Sequence, residues 1–285
     1  MNTATAPPTY RHLSVHPVSG ALGAEIRGVN VARALEAGTV AEIRRALLEH
    51  LVIFFRNQTL GPREQLAFAR RFGEPVEYPQ LKGLPECPLV TPVVKLEHER
   101  HNFGGVWHSD TAYLERPPMA SLLHAVEIPP VGGDTLFANQ YRAYDTLSEG
   151  LKKTLAGLLA VNTSTKAEVS RTREDRLRES GAEPKALEAE HPVVRTHPET
   201  GRAALYVNVA HTARFKGWTE SESASLLGFL FAHQVEPELC YRFRWEPGSL
   251  AFWDNRCTQH YAVADYYPAH RLMQRVTIAG DRPYS

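Results

Sequence analysis

The chain has 285 residues, of which 43% are hydrophobic and 22% are charged. This balance is ordinary for a folded globular protein and excludes a disordered chain, which carries fewer apolar residues. The 32 basic residues match the 32 acidic residues, so the formal net charge is zero. Because general nucleic-acid and membrane-surface binders carry a basic excess, the composition predicts neither kind of partner.

Targeting signals and cysteine usage bear on the compartment. We find no apolar run long enough to span a bilayer, and the polar, Pro-rich residues 1–10 do not resemble a signal peptide. The cysteines Cys87, Cys240 and Cys257 are odd in number and lack Cys-x-x-Cys spacing, which argues against disulfides and cysteine-rich zinc sites. We expect a cytoplasmic protein with one domain over residues 1–285, the first ten of them flexible.

In the first half of the chain, short apolar segments predict strands interleaved with two helices. A helix is expected over Thr39–His50, where apolar residues share one face. A second begins at Gly61-Pro62, because proline at the first helical position loses no needed N–H, and runs to about Phe72. The strands predicted here are His12–His16, Ala24–Val29, Leu51–Phe55, Leu89–Leu96, Met119–Ile128 and Asp134–Phe137.

The second half predicts three more helices and further strands. The helices are an amphipathic one over Ala143–Leu159, a charged surface helix over Ala167–Glu190, and one that follows the capping box at Thr219 and runs to Phe231. The strands are Val193–Thr196, Ala204–Val209, Tyr241–Trp245, Leu250–Trp253, His260–Val263 and Arg271–Ile278. The third and fourth of these are expected to form a hairpin around a Pro-Gly turn.

Many short strands joined by Gly/Pro turns predict a mainly β fold, a sandwich or barrel with flanking helices. A parallel α/β sheet is the alternative. It ranks lower because hairpins dominate the second half and no Gly-rich phosphate loop follows a strand. The irregular segments 79–106 and 164–185 are candidate lids, since long loops inside a compact domain are more often functional.

The sequence His108-Ser109-Asp110 is a candidate metal-binding pair. In an extended strand, residues i and i+2 point to one side, so an imidazole and a carboxylate can bind one cation together. A second histidine from a distant strand would complete a facial triad with open positions, which suits non-haem Fe(II). Such pairs also arise by chance: His197-Pro198-Glu199 is another, and its turn-forming surroundings favour a solvated loop.

Further motifs in order along the chain carry a resemblance to a known family. They are Trp107-His108-Ser109-Asp110, Gly132-Gly133-Asp134-Thr135, Phe252-Trp253-Asp254-Asn255-Arg256, and Gln259-His260-Tyr261-Ala262 followed by Arg271 and Arg275. From about Leu13 to Pro283 the chain resembles the taurine dioxygenase family. Its members are Fe(II)- and 2-oxoglutarate-dependent dioxygenases, including phenoxyalkanoate dioxygenases and alkylsulfatases. The resemblance implies a double-stranded β-helix, or jelly-roll, core.

The resemblance assigns roles to individual residues. His108, Asp110 and His260 match the family's iron ligands. Thr135 and Arg271 match the residues that hold the distal carboxylate of 2-oxoglutarate. A hydroxyl and a guanidinium suit a buried carboxylate, because arginine stays charged and donates hydrogen bonds in pairs. Fe(II), 2-oxoglutarate as cosubstrate and O2 are therefore the expected cofactors.

The expected reaction hydroxylates a small organic anion while 2-oxoglutarate is split into succinate and CO2. Arg275 matches the residue that meets the anionic end of the substrate, and Trp253 resembles an aromatic lining residue near the iron. The anion would be a sulfonate, an alkyl sulfate, or an aryloxy or other carboxylate. If the hydroxylated carbon bears sulfur or oxygen, the product collapses to an aldehyde or ketone and releases the heteroatom group.

At several positions the chain departs from the taurine enzyme. An asparagine contact to taurine falls on Gly104, and a histidine and a phenylalanine contact align with Tyr78 and His211. Gly104 would leave room for a bulkier substrate or simply permit a loop turn. Thr111, next to the ligand motif, could add a backbone or hydroxyl contact. These differences disfavour taurine itself as the substrate.

Other functions remain as alternatives. A non-catalytic metal- or ligand-binding β-barrel would need no 2-oxoglutarate clamp, and Thr135 with Arg271 speaks against it. A true taurine dioxygenase is an alternative within the family. A zinc hydrolase commonly carries a His-Glu-x-x-His helix, which is absent from this sequence. Family members are often homodimers or homotetramers, but the sequence contains no interface signal.

Overall fold

A computed structural model of the chain describes residues 10–79, 81–100, 102–166 and 186–285. Its strands are β1 (Ser14–Pro17), β2 (Ala24–Arg27), β3 (Val52–Phe55), β4 (Pro75–Val76), β5 (Val90–Lys95), β6 (Ala120–Glu127), β7 (Thr135–Asn139), β8 (Leu159–Thr163), β9 (Glu188–Pro192), β10 (Val194–Thr196), β11 (Ala203–Leu205), β12 (Thr212–Phe215), β13 (Cys240–Phe243), β14 (Leu250–Asp254), β15 (Thr258–Ala262) and β16 (Arg271–Ile278). Its helices are α1 (Ala37–His50), α2 (Pro62–Ala69), α3 (Gln140–Asp145), α4 (Glu149–Leu155) and α5 (Glu220–His233).

The large sheet forms one wall of the molecule. Its strands run in the order β1-β2-β3-β14-β6-β16-β4, and β5 pairs with β16. Every residue of β3 and β14 is buried, because both faces of this sheet are covered. Helices α1 and α2 cover the outer face, where Ile43 and Phe68 join one apolar cluster with Phe55 and Phe252. A core this continuous explains why these strands are apolar runs rather than alternating ones.

A three-stranded sheet, β13-β7-β15, covers the inner face of the large sheet. Phe54 of the large sheet stacks on Phe243 of the small one with ring centroids 3.9 Å apart. Phe137 and Trp253 meet across the same layer at 5.7 Å. Two sheets packed face to face with helices outside confirm the predicted mainly β, jelly-roll architecture.

The remaining small sheets, β12-β8-β9 and β10-β11, pack with α3, α4 and α5 around a separate apolar cluster. In the described ranges, no helix is both long and apolar enough to cross a membrane. Residues 167–185, which hold most of one predicted lid and of the predicted surface helix, lie outside the described residues. The end of that helix prediction is wrong, because 188–190 begin β9.

The predicted helix over Ala143–Leu159 is two short helices followed by a strand. Ser148 interrupts it: its side chain accepts a hydrogen bond from the Leu151 backbone and caps α4. Helix α4 ends before Gly157, whose φ of +78° places it in the left-handed region. The amphipathic period spans both helices, and it therefore does not reveal the break between them.

The predicted hairpin of Tyr241–Trp245 with Leu250–Trp253 is also wrong. Strand β13 pairs with β7 in the small sheet, whereas β14 pairs with β3 and β6 in the large one. The turn at Glu246–Ser249 therefore crosses from one sheet to the other. Alternation along a strand reports which face is buried and does not report which strand is the partner.

Candidate active site

His108, Asp110 and His260 lie side by side at β15, the edge strand of the small sheet. Nε2 of His108 is 3.8 Å from Oδ1 of Asp110, and Nε2 of His260 is 3.9 Å from the same oxygen. One ligand atom from each residue lies within 4.8 Å of the others, and all three side chains are buried. The structure thus brings together three residues separated by up to 152 positions (260 − 108 = 152).

Backbone pairing positions two of the three side chains. His260 is in β15, and its backbone exchanges two hydrogen bonds with His108, at 2.8 and 3.1 Å. His108-Ser109-Asp110 is not an extended strand, the geometry in which side chains i and i+2 share one side: His108 makes only an isolated bridge and Asp110 lies in a turn. Thr111 follows with a φ of +42°, so the chain bends sharply directly after the carboxylate.

The donor atoms suit a divalent metal ion. Oδ1 of Asp110 is buried and has no hydrogen-bond partner, although buried carboxylate oxygens normally have one. The Val106 carbonyl accepts from Nδ1 of His108 at 2.6 Å, which leaves Nε2 as the ligand atom. Two imidazoles and one carboxylate form the donor set expected for non-haem Fe(II).

The electrostatics keep the three groups ready for a metal. Burial lowers the pKa of His108, and burial with the neighbouring His108 lowers that of His260 to about 3. Burial alone would raise the pKa of Asp110, but His260, Arg275 and His108 more than offset it and lower it to about 2. At neutral pH the site therefore offers two neutral imidazoles and one carboxylate, the protonation states that bind metals.

A pocket that is partly open to solvent lies beside these side chains. Thr135, at the start of β7, and Arg271, at the start of β16, both line it. Oγ1 of Thr135 accepts a hydrogen bond from the Trp245 indole at 3.0 Å, so its own proton is available to a ligand. The sequence prediction placed these two residues at one site, and the structure does so too.

Arg271 and Arg275 present the same edge of the guanidinium without a partner. In each residue Nε and Nη2 are buried and have no hydrogen bond. These two N–H groups form the side of the fork that binds both oxygens of one anion. Burial lowers the pKa of Arg271, and an anionic ligand would offset that cost.

Arg275 is held between an acid and two aromatic rings. Its Nη1 lies 3.5 Å from Oδ1 of Asp110. Its Cζ lies 3.7 Å above the centre of the Tyr78 ring and 5.8 Å from that of Phe103. Tyr78, predicted to contact substrate, thus covers the flat face of the arginine, and the pocket lining does not include it. Cation–π contact of this kind fixes a guanidinium plane.

The other predicted substrate residues divide into two groups. Trp253 and Gly104 line the pocket, and the Trp253 ring lies 4.8 Å from that of His260. Thr111 and His211 are buried but do not line the pocket as the described residues form it. The His211 ring lies edge-on to that of His108 at 6.3 Å. A contact of Thr111 or His211 with substrate therefore stays a prediction.

Sequence reasoning missed the apolar wall of the pocket. Val93, Phe103, Leu123 and Ala262 line it together with the two histidines and the two arginines. Val93 and Leu123 belong to β5 and β6, which flank β16 on either side, and the positions flanking a known strand could have suggested them. Phe103 comes from the candidate lid 79–106, whose closure stays a prediction.

The interpretation of His197-Pro198-Glu199 as a solvated loop is wrong. His197 is buried, and its Nε2 lies 3.0 Å from Oδ2 of Asp254. Cys257 lies near enough to complete a group of possible metal ligands. The Asp254 carboxylate, however, is bound at both oxygens by Arg256, at 2.9 and 2.7 Å. The Asp254 carboxylate therefore already has its partners, the His197 ring and the Arg256 guanidinium.

Comparisons with known proteins agree with the geometry. Residues 14–277 match the model of the taurine catabolism dioxygenase TauD, TfdA family. The chain is 40% identical to an alpha-ketoglutarate-dependent sulfate ester dioxygenase of Pseudomonas putida, covering 98% of this chain and 93% of that protein. It is 37% identical to an alkylsulfatase of Acinetobacter baylyi, covering 99% and 89%.

The fold agrees as well. The crystal structure of a taurine dioxygenase from Burkholderia xenovorans superposes with a TM-score of 0.83 at 37% identity, covering 96% of this chain and 92% of that one. Fold and site together define a jelly-roll, 2-oxoglutarate-dependent dioxygenase. The chain belongs to the TauD/TfdA family. The relatives support this prediction and not the alternative of a non-catalytic binding barrel.

Proposed function

We propose that this dioxygenase binds Fe(II) through His108, Asp110 and His260 and hydroxylates an organic anion whose charged end binds Arg275. The observation that carries the proposal is the pair of unpartnered arginine forks in one pocket with the His-Asp-His group. Two forks call for two anions. One is 2-oxoglutarate and the other is the substrate.

The chain's own residues select, orient and separate the two anions. Arg271 and Thr135 hold the distal carboxylate of 2-oxoglutarate through two guanidinium N–H groups and one hydroxyl. Arg275 lies four residues along β16 on the same face, about 13 Å further by strand rise. Bound Fe(II) supplies the coordination sites at which 2-oxoglutarate and O2 react. The apolar wall keeps bulk water from the reacting carbon.

The pocket favours a substrate with an apolar body. Its apolar lining residues include Val93, Phe103, Leu123 and Trp253, and no carboxylate lines it among the described residues. The ammonium group of taurine would therefore have no charged partner in this wall. We infer that an alkyl sulfate ester is the best first candidate, in keeping with the activities named for the two relatives. Hydroxylation of the carbon that bears the sulfate would release an aldehyde and inorganic sulfate.

The first prediction tests the assignment of the two arginines. With a panel of alkyl sulfates, sulfonates and aryloxy acids, we expect substrate-dependent succinate formation to be highest for an alkyl sulfate. Arg275→Ala should raise the KM for that substrate at least tenfold and change the KM for 2-oxoglutarate less than threefold. Arg271→Ala should do the reverse, because each removes a charge-assisted bidentate contact to one anion.

Two controls accompany the measurement. His108→Ala removes an imidazole from the metal site and should give no turnover with any member of the panel. Arg242 is an exposed arginine on β13, outside the pocket lining, so Arg242→Ala should leave both KM values unchanged. Equal effects of Arg271→Ala and Arg275→Ala on both KM values would contradict the assignment. Turnover in His108→Ala would contradict the metal site.

A further inference from the structure

A buried hydrogen-bond chain leads from the pocket wall to the far side of Asp110. Oγ of Ser121 donates to Oδ2 of Asp110 at 2.6 Å. Nδ2 of Asn255 donates to Oγ of Ser121 at 3.0 Å, and Oδ1 of Asn255 accepts from the Trp253 indole at 2.8 Å. The same Oδ1 lies 3.4 Å from the Asp110 backbone N–H. Asn255 thus contacts the carboxylate, through Ser121, and its backbone.

The chain makes the two oxygens of Asp110 unequal. Oδ2 accepts a hydrogen bond from the Ser121 hydroxyl, whereas Oδ1 has no hydrogen bond and lies near both imidazoles and Nη1 of Arg275. A carboxylate held in this way offers one oxygen to a metal and keeps the other engaged. Without the hydroxyl, the group is free to rotate or to turn both oxygens to the ion.

The segments that carry Ser121 and Asn255 are held in place by backbone pairing and hydrogen bonds. Ser121 lies in β6 directly opposite Trp253 of β14. The Asn255 backbone N–H donates to the Met119 carbonyl at 2.9 Å. On either side of Asn255, Asp254 and Arg256 form their own bidentate pair. In the motif Trp-Asp-Asn-Arg, the tryptophan therefore lines the pocket. The aspartate and the arginine pair with each other, and the asparagine between them makes hydrogen bonds through its amide.

We propose that Ser121 and Asn255 are positioning residues that fix the Asp110 carboxylate with one oxygen toward the metal, and that Asn255 connects this ligand to the Trp253 wall. The inference rests on the proposed function, because it needs a metal at Asp110. Neither Ser121 nor Asn255 would itself contact the metal or the substrate. Groups that orient a metal ligand commonly change metal affinity 10- to 100-fold when they are removed, which sets the expected size of the effect.

The test is a titration of metal-free protein with Co(II) under anaerobic conditions, followed by its visible absorption. Ser121→Ala should weaken Co(II) binding by about 10- to 100-fold and change the band positions, because the carboxylate is then free to rotate or to present both oxygens. Asn255→Ala keeps the hydroxyl but removes its partner and should weaken binding several-fold. A second variant is useful because it decides the question if Ser121→Ala does not fold.

Ser223→Ala is the matched control. Ser223 is equally buried, and its hydroxyl also makes two hydrogen bonds, to Thr219 and Phe215, far from Asp110. It should lower the unfolding temperature as much as Ser121→Ala and leave Co(II) affinity unchanged. Co(II) affinity within twofold of the parent in the Ser121 and Asn255 variants would overturn the inference, as would an equal loss in Ser223→Ala. Failure of the unmodified protein to bind Co(II) would instead overturn the proposed function.

Discussion

Gly104 shows how one residue serves the site in a way that its alignment position does not reveal. A Cβ built there would lie 3.1 Å from Cε1 of His108, tighter than ordinary van der Waals contact. The backbone φ is +84°, a region that side chains disfavour. Its carbonyl also accepts from the Ala262 backbone at 3.0 Å. Glycine is thus required by both the turn and the histidine, whichever substrate binds.

The prediction at this scale is that Gly104→Ala weakens Co(II) binding several-fold and lowers turnover, because the new methyl group displaces the His108 ring. The control is Gly28→Ala, since Gly28 has the same φ of +84° with nothing within 4 Å of its Cβ position. Both variants should lose about 1–2 kcal/mol of unfolding free energy from backbone strain. Equal metal affinity in the two variants would contradict the crowding argument. Denaturant titration and Co(II) titration measure the two effects.

At the level of secondary-structure elements, the short connection between β14 and β15 positions several residues of the site. It joins Trp253 to His260, and it is held by the buried pair of Asp254 and Arg256. Arg256 also contacts Glu199 at 2.8 Å, which anchors a second turn of the chain. Nearby charges in a buried setting make such a pair sensitive to the loss of either partner.

We expect Arg256→Met to lower the free energy of unfolding by about 3–5 kcal/mol, because it leaves the buried Asp254 carboxylate without its cationic partner. Arg242→Met is the exposed counterpart. Arg242 pairs with Asp134 at 2.6 Å and Asp265 at 3.0 Å, but its side chain is 52% exposed. Its loss should cost less than about 1 kcal/mol. Similar losses of unfolding free energy for the two variants in chemical denaturation would show that burial does not decide how much each ion pair contributes to stability.

At the scale of the whole molecule, buried histidines make stability depend on pH although the net charge is zero. Burial lowers the pKa of His108, His124, His191 and His260. In the unfolded chain each would take up a proton near its ordinary pKa of about 6.5. Since the unfolded state binds more protons below that pH, stability falls as the solution becomes more acidic. The depressed pKa of Asp110 adds a further loss below about pH 4.

The prediction is a fall of more than about 1 kcal/mol in unfolding free energy between pH 7 and pH 5 for the metal-free protein. Saturating Co(II) should raise the unfolding free energy at both pH values, because the metal binds the folded protein. His191→Gln keeps a buried polar group but does not titrate, and it should reduce the slope. Urea denaturation at several pH values measures the unfolding free energy. A value that stays constant between pH 8 and pH 5 would contradict the expected effect of the buried histidines.

The class of fold, most strand and helix positions, and the histidines, aspartate and arginines that gather at the site could be predicted from the chain alone. Helix α5 and the strands around His260 and Arg271 follow from local signals: a capping box, an alternation and an ordered set of motifs. These signals lie within a few residues of chain, so one sequence is enough to detect them.

Strand pairing and the contacts of each site residue became clear only from the three-dimensional structure. It placed β13 and β14 in different sheets, buried His197 against Asp254, and set Tyr78 over Arg275 rather than in the pocket. It also gave Asn255 a partner on Asp110 through Ser121. The reason is physical: hydrophobic period reports burial, whereas pairing and side-chain contact depend on packing between segments far apart in the chain.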